Sequence, residues 1–439
     1  MFTKEYVDTF IWFMIGILFI PDHFIMFDSP PTISSRFFIL FFLLFTLIKT
    51  ENLKKQLALY PLKYSTIFIL ICFLLIGFFD SRLNLNLAKI LNRSLGFFLD
   101  NFMILLLSFL MIRNFRDVIK TYEILLYIFL IFSIYGVINY ITRLNPYMTF
   151  ICQAFNARDF ALDYMTGLDG RYRISSFSWH PIYYGFLLNL IFLMGLLLYS
   201  ILELKPIRKR VYIGISALVL FNLLMVNSRT PLFAFLGGVA VFFIWGTNLR
   251  KKIQFFFIGS IFTIFILSFV PKVGDFIDDS LNTFSSKGSS LEGSSVEMRN
   301  VQLASSIFIF NRNPITGNGF YYITENLGFK GRSDERSSDS SFAGFESYLY
   351  KLLIEQGIIG IVGHLVFFGS LILYFLSHAI YAKNKVRKQF AVLNIAMVCS
   401  FFLFIFGTGD LGTFKFFMPI MGINLKGLEY LKFYEKDII

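Results

Sequence analysis

The chain reads as an all-α, polytopic integral membrane protein of about twelve transmembrane helices, with two long loops on the outer side. Three observations predict this. Apolar residues make up 56% of the chain and charged residues 15%, and the mean hydropathy is +0.66. The apolar residues gather into runs near the ~20 residues needed to cross a hydrocarbon core. Lys and Arg cluster in every second linker between those runs.

The runs do not alternate in polarity, which argues against a transmembrane barrel. Inside a bilayer each backbone N–H and C=O must pair within its own segment, so the runs are predicted to be helices. The candidate spans are 9–27, 36–48, 64–79, 95–112, 122–141, 181–201, 211–227, 230–247, 253–271, 348–376, 389–407 and 411–428. Asp410, Lys415 and Pro419 make the last one the weakest. The 59 phenylalanines supply lipid-facing bulk and packing between helices.

The net charge of +12 is a topology signal. Its clusters are Lys49/Lys54/Lys55/Lys63, Arg113/Arg116/Lys120, Lys205/Arg208/Lys209/Arg210, Arg250/Lys251/Lys252 and Lys383/Lys385/Arg387/Lys388. Such alternation marks the cytoplasmic side and places both termini there. On the opposite side acidic and basic residues balance. This distribution speaks against a nucleic-acid role. The first apolar run lacks a small-residue cleavage site, so it reads as a span rather than a cleaved signal.

Cys72, Cys152 and Cys399 stand singly, with neither disulfide nor metal spacing. No Walker loop or dinucleotide fingerprint occurs. Neither metal nor cofactor is expected. The chain reads as one transmembrane domain over 1–439, with outer loops at 142–180 and 272–347.

The second loop has internal order. Ser294-Ser295-Val296-Glu297 fits a capping box. Val296, Leu303, Ala304, Ile307 and Phe310 then share one helical face, which predicts an amphipathic helix lying on the outer surface. Asn313-Pro314 ends it and Gly317-Asn318-Gly319 makes a turn. A polar stretch follows over 330–341, and the next span starts near Glu346.

The outer side carries arginines beside apolar segments: Arg171, Arg173, Arg229, Arg299 and Arg312. Arg229 sits in Asn227-Ser228-Arg229-Thr230-Pro231, a short hairpin between two spans. A charge there is costly unless it snorkels or binds something. Guanidinium grips phosphate with two parallel hydrogen bonds. Arg299 falls early in the surface helix, where the dipole also favours an anion. Arg173 leads into His180, which reads either as a proton carrier, a donor to sugar or an interfacial histidine. Trp179, Tyr183 and Tyr184 suit either sugar stacking or the membrane interface. Glu346 is either a helix-start carboxylate favoured by the dipole or a general base facing the arginines. An anionic ligand would thus be met by arginines at the membrane boundary, as a lipid-linked diphosphate requires.

These pieces resemble the bacterial O-antigen polymerase (Wzy-type) and O-antigen ligase superfamily. Arg173 through Gly185 is similar to the family's arginine-to-His-Pro stretch before a span, and Asn227-Ser228-Arg229 to its short hairpin. Met298-Arg299 and Asn313-Pro314-Ile315-Thr316-Gly317-Asn318-Gly319-Phe320 resemble the motifs of its large loop. Glu346-Ser347, nine residues, then Gly357-Ile358-Ile359-Gly360 is similar in spacing to the ligase pattern His-Asn/Ser/Gln-x9-Gly-x-x-Gly, with Glu in place of His.

The resemblance implies a GT-C-like glycosyltransferase in the bacterial inner membrane, its active site facing the periplasm. The substrates it implies are undecaprenyl-diphosphate-linked oligosaccharides, as donor and acceptor. A chain-length regulator and a flippase are the implied partners. Arg173, His180, Arg229 and Arg299 would bind substrate and Glu346 would be the base. The replacement of His by Glu favours a polymerase over a ligase. A flippase or transporter of lipid-linked sugars is the competing class, and would place its charges near mid-bilayer. Asp100 is one charge within an apolar stretch.

Overall fold

Long helices account for most of the chain, and they begin and end where the polar and basic linkers stand. The computed structural model describes residues 5–19, 35–50, 53–154, 172–202, 206–246, 294–326, 347–409 and 411–433. The predicted span 253–271 lies outside them, as do Glu346, Arg171 and the polar stretch 330–341.

The helices are α1 (Glu5–Phe19), α2 (Ser35–Lys49), α3 (Leu53–Ala58), α4 (Lys63–Phe78), α5 (Leu87–Phe98), α6 (Ile104–Met111), α7 (Phe115–Thr142) and α8 (Pro146–Ala154). They continue as α9 (Pro181–Ile201), α10 (Pro206–Met225), α11 (Arg229–Gly246), α12 (Ser294–Phe310), α13 (Tyr322–Asn326), α14 (Tyr348–Lys351), α15 (Gly357–Ile380), α16 (Lys385–Thr408) and α17 (Phe414–Phe433). Among the described residues no strand is present.

Among the described residues, six continuous helical stretches are long and apolar enough to cross a membrane: Leu87–Met111, Phe115–Thr142, Pro181–Ile201, Arg229–Gly246, Tyr348–Ile380 and Lys385–Thr408. Two of them are wider in one turn. A π segment, Leu99–Met103, joins α5 to α6, and another, Leu352–Gln356, joins α14 to α15. Such bulges free backbone groups and recur at functional positions.

The outer surface of the bundle is apolar. Ile131, Leu365, Leu373 and Phe41 are each more than half exposed. The interior holds polar side chains that tie helices together. Tyr122 donates to Asn424 Oδ1 at 2.7 Å, and Asn424 donates to Asn394 Oδ1 at 2.6 Å. Apolar outside and paired polar groups inside is the arrangement that a hydrocarbon solvent selects. The protein is a multi-pass membrane protein.

α9 lies at the centre. It packs on α7, α10, α11 and α16, while α4 and α16 flank α15 and α17 packs on α6. Aromatic rings bridge the two halves. Phe102 meets His364 and Phe414, Tyr348 meets His364 and Phe414, and Phe401 stacks on Phe417.

α12 buries one face and exposes the other. Its inward face is Gln302, Ser306 and Ile309, all buried. Val301, Leu303, Ala304, Ile307 and Phe308 are exposed. The apolar face that the periodicity marks is turned away from the protein, as it would be for a helix resting on lipid.

Candidate functional site

The chain from Arg173 to His180 is buried in the bundle end by its serines. Asn145 Nδ2 donates to Ser175 Oγ at 3.2 Å and to the Ser176 carbonyl at 2.8 Å, and Ser176 Oγ donates to the Phe132 carbonyl at 2.7 Å. Arg173 is half-buried in this stretch. Arg143, the C-cap of α7, lies over the rings of Tyr140 and Tyr172 at 4.8 and 5.3 Å. Burial pushes the Tyr172 phenol above its usual value, and the Arg143 charge works against that shift.

His180 is the N-cap of α9. Its Nδ1 accepts the Ile182 N–H at 3.1 Å, and Pro181 follows at the first helical position, where no N–H is missed. The His-Pro pair is therefore a helix start. With Nδ1 accepting, a neutral ring carries its proton on Nε2. Trp179 packs on the His180 ring, 5.1 Å between centroids. Tyr184 corrects a sequence expectation. It is fully buried and donates to Asn222 Oδ1 at 3.1 Å, so its ring serves the core and no sugar can stack on it.

The hairpin around Arg229 turns sharply because Asn227 takes a left-handed backbone, φ 52°, which asparagine tolerates. Arg229 opens α11 and is half-buried. The next turn is clamped from both sides. Pro231 presses on Gly185 of α9 and gives its carbonyl to Asn189 Nδ2 at 2.8 Å, and Thr230 presses on Gly407 of α16. Arg229 thus stands at the same bundle end as His180 and the last turn of α16.

The large-loop motif and the Gly-x-x-Gly motif form one interlocked unit. The π segment and Gly357 break the 348–380 helix, leaving N–H and C=O groups without helical partners. The turn over 313–320 supplies them. Asn318 N and Nδ2 both donate to the Ile354 carbonyl at 2.9 Å, and Gly319 N donates to the Glu355 carbonyl at 2.9 Å. In return, Ile358 N reaches the Pro314 carbonyl at 2.9 Å and Ile359 N the Ile315 carbonyl at 3.0 Å. Ile354, Glu355, Gln356 and Gly357 are buried, so without the loop these groups would go unpaired. Gly317 and Gly357, φ 70° and 59°, meet face to face, and a Cβ on Gly317 would stand 2.5 Å from Gln356 N.

Ser347 is the N-cap of α14, its Oγ accepting the Leu349 N–H at 3.3 Å. Serine and asparagine, two of the three residues the motif position takes, are preferred N-caps; glutamine, the third, is not. Glu346, the candidate base, precedes it in sequence and lies outside the described residues. Arg299 lies in the second turn of α12, and Arg312 stands over the Phe308 ring at 5.0 Å.

Several charged residues escaped the sequence reading. Asp80 is buried and holds Arg82 at two points, Nε to Oδ1 at 2.9 Å and Nη2 to Oδ2 at 2.7 Å. Arg82 and Arg93 reach across to Glu325 and to the Phe320 carbonyl. Glu355 is buried in the helix break, its Oε1 accepting the Ile323 N–H at 3.2 Å. The signal was available for the arginines, because positive charge on a linker assigned to the outer side marks Arg82 and Arg93 as it marks Arg229. Among the described residues no group of three or more His, Cys, Asp or Glu is placed to hold a metal ion.

The fold is that of a helical membrane protein, with the Arg229 hairpin and a loop-capped helix break among its described features. Residues 214–365 match the family model described as O-Antigen ligase. The match covers the Arg229 hairpin, α12, the 313–320 turn and the Gly-x-x-Gly break, and it supports the O-antigen ligase and polymerase superfamily. Members of that family are glycosyltransferase-like enzymes that act on lipid-linked polysaccharide. No curated protein matches the chain.

Proposed function

We propose that the protein is a polysaccharide polymerase of the O-antigen type. It transfers glycan from undecaprenyl diphosphate to a lipid-linked repeat unit on the periplasmic face of a bacterial inner membrane. It crosses that membrane about twelve times. The observation that carries the reading is the Arg229 hairpin, wedged between α9 and α16 at the bundle end where His180 starts a helix.

Arg229 and Arg299, with Arg173, hold the diphosphate and offset charge on the leaving group. That group is a good one, and the reading assigns no metal. Glu346 takes the proton from the acceptor hydroxyl, and the C–O bond to the diphosphate breaks as the new glycosidic bond forms. His180 contributes Nε2 to substrate binding. A chain-length regulator and a flippase are the partners this chemistry calls for.

A second reading, O-antigen ligase with lipid A-core as acceptor, is favoured by the description of the matching family. A knockout separates the two. A polymerase knockout accumulates lipid-linked single repeat units and no long chains. A ligase knockout makes full-length lipid-linked polymer that never reaches lipid A-core. Glu346→Gln keeps the shape and removes the base, so it should reproduce the polymerase knockout. Normal polymer from that variant would remove Glu346 from the mechanism. Transport of lipid-linked sugar without bond formation, in purified protein, would sink both readings.

A further inference from the structure

The linker between α4 and α5 and the first turns of α5 lie outside the stretch that matches the family, yet they hold the loop that caps the helix break. Arg93 grips both oxygens of Glu325, Nη1 to Oε2 at 3.0 Å and Nη2 to Oε1 at 2.8 Å. Arg82 Nη1 reaches the same Oε2 at 3.1 Å and also Asn326 Oδ1 at 3.2 Å. Both guanidiniums donate to the Phe320 carbonyl, at 2.9 Å from Arg82 and 3.2 Å from Arg93. Behind them, buried Asp80 fixes Arg82 and lies against Gly319.

A lone surface ion pair would hold little. Here two planar forks share one carboxylate and one carbonyl, and their side chains are only 19% and 23% exposed. A fork loses fewer degrees of freedom per bond than an ammonium and sets direction as well as distance. On its far side, the same loop is pinned to the helix break by Asn318, Gly319, Pro314 and Ile315, and by Glu355 through Ile323. α12 runs directly into this loop and packs on the π segment.

We propose that Arg82, Arg93 and Glu325 are positioning residues. They lock the 313–326 loop into the helix break and so set the spacing between α12, which carries Arg299, and the start of α14, which follows Glu346. The inference rests on the reading of Arg299 and Glu346 as parts of one site, but its geometry is measurable without activity. None of the three touches the reacting atoms in this assignment. They act through the loop.

The test uses the full chain with its three cysteines replaced, spin-labelled at Asn300→Cys and Leu349→Cys and reconstituted in lipid nanodiscs. Pulsed dipolar spectroscopy should give one narrow distance distribution. Arg93→Gln and Glu325→Gln, each purified as folded monodisperse protein, should broaden it or add a second population. Glu325→Asp, which keeps the carboxylate, should recover most of the narrow peak. Distributions in Arg93→Gln and Glu325→Gln that match the parent would overturn the proposal. In parallel, glycan transfer should fall about tenfold to a hundredfold in turnover, the scale on which catalytic groups respond to ångström misplacement. The KM for lipid-linked donor should change by less than about twofold; because partial unfolding also lowers turnover at constant KM, turnover is counted per folded, monodisperse protein. Broadened distances with unchanged turnover would leave the lock standing and sink the Arg299–Glu346 site reading instead.

Discussion

Asn318 gives two hydrogen bonds to one atom. Its backbone N–H and its side-chain amide both reach the carbonyl of Ile354, each at 2.9 Å. That carbonyl lost its helical partner when the 348–380 helix broke at the π segment. The Asn-Pro-x-x-Gly-x-Gly and Gly-x-x-Gly patterns, 35 or so residues apart in sequence, are two halves of one joint.

The joint should be intolerant of side chains where its halves meet. Gly357 holds φ 59° and ψ −157°, a region open essentially to glycine alone, and Gly317 holds φ 70°. Backbone strain of this kind costs on the order of 1–3 kcal/mol per residue. Gly317→Ala and Gly357→Ala should each lower the melting temperature of purified protein, with Gly357→Ala the worse. A Gly369→Ala control has open space around the added methyl and should melt as the parent does.

Ser347 should matter as a cap. Ser347→Ala removes the acceptor of the Leu349 N–H and should cost about 1 kcal/mol. Ser347→Asn should restore it. Thermal melts of the two variants in the same detergent check the difference, and equal losses in both would show that Ser347 is needed for something other than capping.

Arg229→Ala and Arg299→Ala should abolish transfer while protein remains in the membrane at normal level. Lysine should rescue poorly at either position, because it lacks the planar fork that matches phosphate. Immunoblots of membranes beside polymer gels decide the matter. Near-normal polymer length in both alanine variants would end the diphosphate-clamp assignment.

His180 caps α9, and its proposed part in substrate binding can be separated from that cap. Asparagine is a strong N-cap, so His180→Asn should preserve α9 and protein yield while removing Nε2. Transfer should then fall about tenfold or more, the usual scale for loss of an acid–base or polar contact. Full activity in His180→Asn, with loss of yield in His180→Ala, would assign the residue to capping alone.

Hydropathy alone located most of the helices, because length and apolarity are what a bilayer demands of any backbone crossing it. The predicted starts near 181, 230 and 348 fall within a residue of Pro181, Arg229 and Tyr348. Turn chemistry was also legible: Asn227, Gly317 and Gly319 do adopt positive φ. The π segments were not legible, since an extra residue in a turn leaves the hydropathy of a span unchanged. Tyr184 could not be told from an interfacial ring, because burial depends on which helix packs over it.

What the sequence determined by itself was an all-helical membrane protein, with its arginines gathered beside the same set of linkers. Composition and local pattern suffice there, as each segment meets lipid or solvent one at a time. Only the tertiary structure decided that α12 turns its polar face inward, that the 313–320 turn caps the helix break, and that Glu325 is gripped by Arg82 and Arg93. The last of these joins residues more than 200 positions apart. Such contacts depend on the distance and direction of individual donors and acceptors, which no one-dimensional pattern specifies.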